Sequence, residues 1–165
     1  MAERSLVLDE FLPFRLSVTS NLVSDAIART YRSLFGLSIP EWRLVAVVAE
    51  AGGISQGETA TRTRMDKVTV SRAAIALVGR GLLAREGRPG DRRSHLFTLT
   101  KAGRELYAAV APKALDLERR IFESFSREEL EGFVAMLRRI DAVTLGLEGT
   151  DPPPPSPRTA GTPAK

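Results

Sequence analysis

The sequence predicts a mainly α-helical chain with one small β-hairpin, an α+β fold, and three observations carry that expectation. Three Ser-x-x-Glu boxes occur, Ser38-Ile39-Pro40-Glu41, Ser55-Gln56-Gly57-Glu58 and Ser126-Arg127-Glu128-Glu129. In such a box the serine oxygen and the glutamate each satisfy an orphan amide at a helix start. Apolar residues recur at helical spacing through most of the chain. One stretch breaks that period with short extended runs around Pro89-Gly90, the punctuation of a hairpin.

Taken in order, residues 9–35 place Leu12, Leu16, Leu22, Val23, Ala26, Ile27 and Leu34 near helical spacing. Pro13 falls where a first helical turn tolerates proline, and Gly36 is a stop. The Ser38 box opens a second helix with Trp42, Val45, Ala46 and Ala49 as its apolar stripe, ended by Gly52-Gly53. The Ser55 box opens a short helix to about Thr63. Asp66 caps the next, in which Val70, Ala73, Ala74 and Leu77 share a face and Gly81 marks the stop. Short helices joined by tight polar turns suggest a helix-turn-helix. Leu83 and Arg85 lead into Arg88-Pro89-Gly90-Asp91, and Leu96-Phe97-Thr98-Leu99 follows, so the hairpin stands as a wing. Thr100 starts a long helix marked by Leu106, Val110, Leu117, Ile121 and Phe125, with a bend expected at Pro112. The Ser126 box opens the last helix, striped by Leu130, Phe133, Val134, Leu137 and Ile140. The proline-rich segment 150–165 reads as a disordered tail.

This order divides the chain into an N-terminal helix (residues 1–37), a winged helix-turn-helix region (38–100), C-terminal helices (101–149) and the tail. The terminal helices have little to bury against if the middle is self-contained, so a two-fold partner is expected to cover them. A monomeric bundle closing on itself is the competing arrangement.

Composition limits the chemistry. With 43% apolar and 27% charged residues over 165 positions, the chain has ordinary globular character and the size of one domain. It has no cysteine and a single histidine, His95, which excludes disulfides, thiol redox sensing, zinc fingers and iron–sulfur sites. No G-x-S-x-G elbow presents a serine nucleophile, so neither an enzyme nor a cofactor or metal is expected. The start of the chain has no signal-peptide pattern, and no run approaches the roughly 18 apolar residues of a membrane span. The expected compartment is the cytoplasm, with no membrane partner.

The charge is unevenly placed. Residues 55–104 hold eleven Lys/Arg against four Asp/Glu, a local excess of +7, whereas the remainder holds thirteen against sixteen. Localised positive charge between near-neutral helices is the footprint of a nucleic-acid surface, although an ordinary solvated face has the same appearance.

Met65-Asp66-Lys67-Val68-Thr69-Val70-Ser71-Arg72, then Leu77-Val78-Gly79-Arg80-Gly81-Leu82-Leu83, Asp91-Arg92-Arg93-Ser94 and Leu99-Thr100-Lys101-Ala102-Gly103 together resemble the MarR family of bacterial regulators. Each piece is weak alone, and their order and spacing make the likeness specific, over residues 11–140. The resemblance implies a homodimer with interlocking terminal helices, each protomer offering one winged helix-turn-helix to half of a roughly palindromic duplex operator. It also implies repression, released in many members by a small, often aromatic, anion. Thr59 and Thr63 depart from the leucines frequent in the family's first motif helix, and Arg64 from a frequent turn glycine.

On the recognition helix, Lys67, Thr69, Ser71 and Arg72 oppose the buried face, with Val68 beside them near the end that enters the major groove. Solvent exposure or capping is the competing role for Thr69 and Ser71. In the wing the resemblance points to Arg93 as the minor-groove residue with Asp91 orienting its guanidinium, while Arg92 and Arg88 serve phosphates. A plain turn salt bridge is the alternative. Arg62, Arg64 and Lys67 are further phosphate candidates. For an effector, Arg15, Ser17 and Asn21 on the first helix, Trp42-Arg43 on the second, and His95 on the returning strand are candidates for an aromatic carboxylate. Core packing for Trp42, an ion pair for Arg43 and a strand role for His95 compete with that reading. The expected function is a ligand-released repressor; an activator, a ligand-independent regulator and a protein–protein adaptor are the competing ones.

Overall fold

The computed structural model describes residues 6–148 apart from 89 and 90, and gives the backbone only for residues 88 and 91–94. Two compact units divide the chain, Met1–Ile121 and Phe122–Lys165.

In the first unit a 3-10 turn (Leu8–Glu10) precedes α1 (Leu12–Phe35), which carries a proline in its first turn. Gly36 ends it in the left-handed region at φ 61, its amide returning to Arg32 O at 3.0 Å. Ser38 caps α2 (Ile39–Ala51) through a complete capping box: its amide donates to Glu41 Oε2 (2.7 Å) and its Oγ accepts from the Glu41 amide (3.4 Å). β1 (Ile54–Ser55) follows, then α3 (Gln56–Thr63), capped by the second box at Ser55 and Glu58. Asp66 caps α4 (Lys67–Gly79), and Gly81 (φ 69) turns the chain into β2 (Leu83–Arg88). β3 (Asp91–Leu99) returns, and α5 (Lys101–Phe122) runs unbroken through Pro112.

The three strands form an antiparallel sheet in the order β1-β3-β2. β3 pairs with β2 from Leu83↔Leu99 through Arg88↔Asp91, with an irregularity at Gly87/Arg88. The hairpin expected from the Pro-Gly pair is present, and Asp91, Arg92 and Arg93 belong to strand backbone rather than to the turn. The pairing of Ile54 with Phe97 and Ser55 with Leu96 adds a third strand that two residues of sequence do not announce.

The core gathers Tyr31 from α1, Leu37, then Leu44, Val45 and Val48 from α2, Ile54, and Val70, Ala73, Ala74 and Leu77 from α4. Leu83 and Phe97 close it from the sheet and Val110 from α5. The face expected for α4 is thus the buried one. On α2 the phase differs: Leu44 and Val48 are buried with Val45, while Ala46 and Ala49 are only half-buried. Leucine and valine offer more apolar area than alanine, so the helix rotates to bury them.

The Leu99-Thr100-Lys101-Ala102-Gly103 run is a joint. Thr100 Oγ1 donates to Gly81 O (2.7 Å) and accepts from the Gly103 amide (3.0 Å). A Cβ on Gly103 would stand 2.0 Å from Leu82 O. Only glycine lets α5 start this close to the chain leaving α4.

The second unit holds α6 (Arg127–Glu148), capped by the third box: the Ser126 amide donates to Glu129 Oε2 (2.7 Å) and Ser126 Oγ accepts from the Glu129 amide (3.2 Å). None of its described residues is buried; Phe133, Ile140, Val143 and Leu147 are all exposed. Segment 150–165, expected to be a disordered tail, lies outside the described residues.

Candidate nucleic-acid interface

α3 and α4 are joined by three residues, Arg64-Met65-Asp66, and side chains hold this turn at several points. Thr63 Oγ1 donates to Thr59 O (2.7 Å) and accepts from the Met65 amide (3.4 Å). Gln56 Nε2, at the start of α3, donates to Lys67 O (3.3 Å) at the start of α4. Thr59, where a leucine is frequent in related motifs, is fully buried, and its hydroxyl donates to Ser55 O (2.8 Å). A threonine is accommodated there because its one polar atom has a backbone acceptor a turn earlier. Arg64 caps α3 in the left-handed region at φ 54, the one non-glycine with positive φ among the described residues. That backbone explains why glycine is frequent at this position.

Asp66 fixes the entry into α4. Its Oδ1 accepts from the Thr69 amide (2.8 Å) and its Oδ2 from the Thr69 hydroxyl (2.6 Å). These hydrogen bonds, the hydroxyl one foremost, hold the Asp66 carboxyl below its ordinary pKa by favouring the charged form. The far end of α4 is tied to α1: Arg80 Nη1 donates to Gly36 O (3.0 Å) and Nη2 to Phe35 O (2.9 Å). A guanidinium on the last carbonyls of a helix satisfies orphan acceptors and the helix dipole together. The helix-turn-helix is therefore clamped at both ends of α4.

The sequence candidates distribute unevenly over this frame. Lys67, Val68 and Arg72 are exposed, whereas Thr69 and Ser71 are half-buried on the flanks. The Thr69 hydroxyl proton goes to Asp66, which is the capping role. The line opposite the buried face consists of Val68, Arg72, Ile75 and Gly79, since at 3.6 residues per turn these positions stack. Ile75 follows from the same helical periodicity, but it is apolar and carries none of the polar groups by which a base reader is recognised in sequence. Arg62 on α3 is half-exposed and paired with Glu50 Oε2 (3.2 Å), and Arg64 is exposed. The side chains of Arg88, Asp91, Arg92 and Arg93 lie outside the described residues.

The six effector candidates are placed as follows. Arg15 pairs with Asp9 Oδ1 (2.9 Å), and Ser17, Asn21, Arg43 and His95 are all exposed. Trp42 lies between two aromatic rings, with Tyr31 at 5.8 Å and Tyr107 stacked at 5.9 Å. Burial raises the Tyr31 pKa, since its phenolate would be poorly solvated. A cleft of about 450 Å³ opens between α2, the sheet and the start of α5, lined by Val48, Ala49, Gly52, Glu86, Thr98, Leu99, Arg104 and Tyr107. None of the six candidates lines it. Arg104 Nη1 donates to Leu99 O (2.7 Å), and Thr98 Oγ1 donates to Glu86 Oε1 (2.9 Å). Arg104 and Tyr107 share a helix face at i, i+3 spacing, a signal available in the sequence once α5 is placed. Among the described residues no group of three or more His, Asp or Glu side chains is arranged to hold a metal ion, and no helix is long and apolar enough to cross a membrane.

Comparison with known proteins agrees with this architecture. A family model described as the MarR family matches residues 35–94. The HTH-type transcriptional regulator YxaD of Bacillus subtilis is 34% identical over 98 residues, spanning 59% of this chain and 68% of that protein. The DNA complex of the MarR family regulator Sco3205 from Streptomyces coelicolor superposes with a TM-score of 0.74 at 24% identity, covering 92% of this chain and 93% of that one. Bordetella bronchiseptica BpsR, whose DNA binding is regulated by 6-hydroxynicotinic acid, gives a TM-score of 0.75 at 24% identity over 83% of this chain and 97% of that one.

Proposed function

The chain belongs to the MarR family of DNA-binding transcriptional regulators, and from that premise we propose that it acts as a homodimeric repressor of a roughly palindromic operator. The observation that carries the reading is α4: capped by Asp66, clamped by Arg80, and presenting Val68 and Arg72 outward within a basic segment. Residues 38–100 form the DNA-binding region, and residues 1–37 and 101–149 the dimerisation helices. Exposed Leu12, Leu16 and Leu22 on α1, and Phe133, Ile140 and Val143 on α6, support a covering partner. Two copies of α4 then address half-sites about one helical turn, roughly 34–36 Å, apart. Arg93 enters the minor groove with Asp91 orienting it, and Arg62, Arg64, Lys67, Arg88 and Arg92 hold phosphates. Arg62 exchanges its Glu50 partner for a phosphate on binding.

A small aromatic carboxylate releases the DNA by binding the cleft beside Arg104 and Tyr107. The cleft combines apolar walls with the Arg104 guanidinium and with the Glu86 carboxylate, which accepts from Thr98 Oγ1, and Trp42 backs it through Tyr107. Regulation of the Bordetella protein by a hydroxylated pyridine carboxylic acid agrees with that ligand class.

The test is binding of the full chain to duplex DNA from its own promoter region. A dimer contacting six to ten phosphates loses roughly 10³- to 10⁵-fold in affinity between 50 and 200 mM salt. Salt-independent binding would contradict the phosphate contacts. Arg93→Ala weakens binding and leaves the sedimentation of the dimer unchanged. Aromatic carboxylates raise the melting temperature of wild type and not of Arg104→Ala. Parallel His95→Ala and Arg43→Ala variants show whether those side chains reach the ligand.

A further inference from the structure

The outward line of α4 is chemically unusual for a helix facing water. Val68 is 59% exposed and Ile75 62% exposed, with Arg72 between them on the same line. A solvated helix face is ordinarily polar, and three charged or amide side chains would satisfy it without cost. The polar alternatives on this face are few, because the Thr69 hydroxyl proton goes to Asp66. Both aliphatic residues are β-branched, so within a helix each holds essentially one χ1 rotamer and presents its methyl groups in a fixed place. Gly79, next along the line, carries no side chain, and a Cβ there would meet nothing within 4 Å. The reading line therefore ends at Ile75.

We infer that Val68 and Ile75 read thymine methyl groups in the major groove, one on each side of the base pair addressed by Arg72. The inference rests on α4 being the recognition helix and specifies what that helix selects. The excess of +7 over residues 55–104, with Lys67 and Arg72 exposed on α4 itself, favours a polyanion over an apolar protein groove as the occupant of this face. Within the major groove the thymine C5-methyl is the one apolar feature, and guanine O6/N7 is the usual bidentate partner of an arginine. Val68 and Ile75 are seven residues apart, about 10.5 Å along the helix axis at 1.5 Å per residue. A helix lying in the groove is inclined to the duplex axis, so at about 3.4 Å per base step that distance spans about two to three steps. Each half-site accordingly contains two A·T pairs with their thymines toward α4, about two to three steps apart, and a contact of Arg72 between them.

Selection from a randomised duplex library with the wild-type full chain defines the half-site. Affinity is then measured by fluorescence anisotropy on the selected duplex and on duplexes in which one thymine is replaced by deoxyuridine, which lacks only the methyl group. Wild type should lose about fourfold for each assigned thymine, the value for failing to bury one methyl. Ile75→Ala should lose its response to deoxyuridine at one of the two positions and Val68→Ala at the other. Circular dichroism of the two variants should match wild type, since alanine favours the helix. Equal wild-type affinity for thymine and deoxyuridine duplexes overturns the inference and leaves α4 as the recognition helix. Retention of the full penalty by Ile75→Ala, with an unchanged selected half-site, does the same. A wild-type chain that selects no sequence overturns this inference together with the proposed function.

Discussion

Replacing Gly103 by alanine tests the joint on which α5 is built. The new methyl would stand 2.0 Å from Leu82 O, 3.1 Å from Leu82 C and 3.2 Å from Leu99 Cδ2. The nearest of these is main-chain oxygen, so no rotamer change relieves the contact. The chain must move the start of α5 by more than an ångström, and the polar contacts there move with it. Leu82 O accepts from the Thr100 amide (3.2 Å), and Thr100 Oγ1 caps Gly103 N (3.0 Å) while donating to Gly81 O (2.7 Å). Overpacking costs about 1–3 kcal/mol, and a damaged threonine cap costs about 1 kcal/mol. The better helix propensity of alanine returns at most about 1 kcal/mol. The net loss is about 2 kcal/mol. For a chain of this length that lowers Tm by about 4–8 °C. Differential scanning calorimetry at matched protein concentration reads the change, since the Tm of an associating protein depends on concentration. Gly57→Ala is the control: its Cβ would meet nothing within 4 Å, and it should gain about 0.5 kcal/mol. A Gly103→Ala chain melting at or above wild type would refute the close-approach argument.

Arg64→Gly should raise stability by about 1 kcal/mol by relieving the left-handed backbone, while weakening DNA binding through the lost cation; denaturant melts and anisotropy separate the two effects. Arg80→Ala removes two hydrogen bonds to the end of α1 and should cost about 1–2 kcal/mol in urea unfolding, with an unchanged m-value. Thr59→Val keeps the buried shape and removes the hydrogen bond to Ser55 O, so it should cost about 1 kcal/mol in thermal or urea melts; Thr59→Arg should leave little folded protein in expression trials. The Asp66 carboxyl titrates lower folded than unfolded, so its contribution is present above the ordinary carboxylate value near 3.9 and is lost as pH falls through the lower folded value. Asp66→Asn should accordingly show a shallower loss of stability below about pH 4, read by thermal melts at stepped pH.

What the sequence determined by itself is chemistry that closes within a few residues or within one helix. The Ser38, Ser55 and Ser126 boxes and the Asp66 cap are legible because donor and acceptor lie three residues apart, and the structure has all four. The buried face of α4 is legible because Val70, Ala73, Ala74 and Leu77 repeat with the helix itself. The turn glycine missing at Arg64 is legible too, as a departure whose left-handed backbone the structure then displays. Tertiary structure decided what depends on segments far apart in the chain. β1 exists because Ile54 meets Phe97, a pairing that neither residue specifies alone. Arg80 caps a helix that ended 45 residues earlier, and Trp42 is held between rings from α1 and α5. The cleft beside Arg104 and Tyr107 likewise forms only where α2, the sheet and α5 converge. Local hydrogen bonds and helical periodicity are written in spacing along the chain. Contacts that require loop closure are selected by the sum of packing over the whole core, which no short stretch of sequence contains.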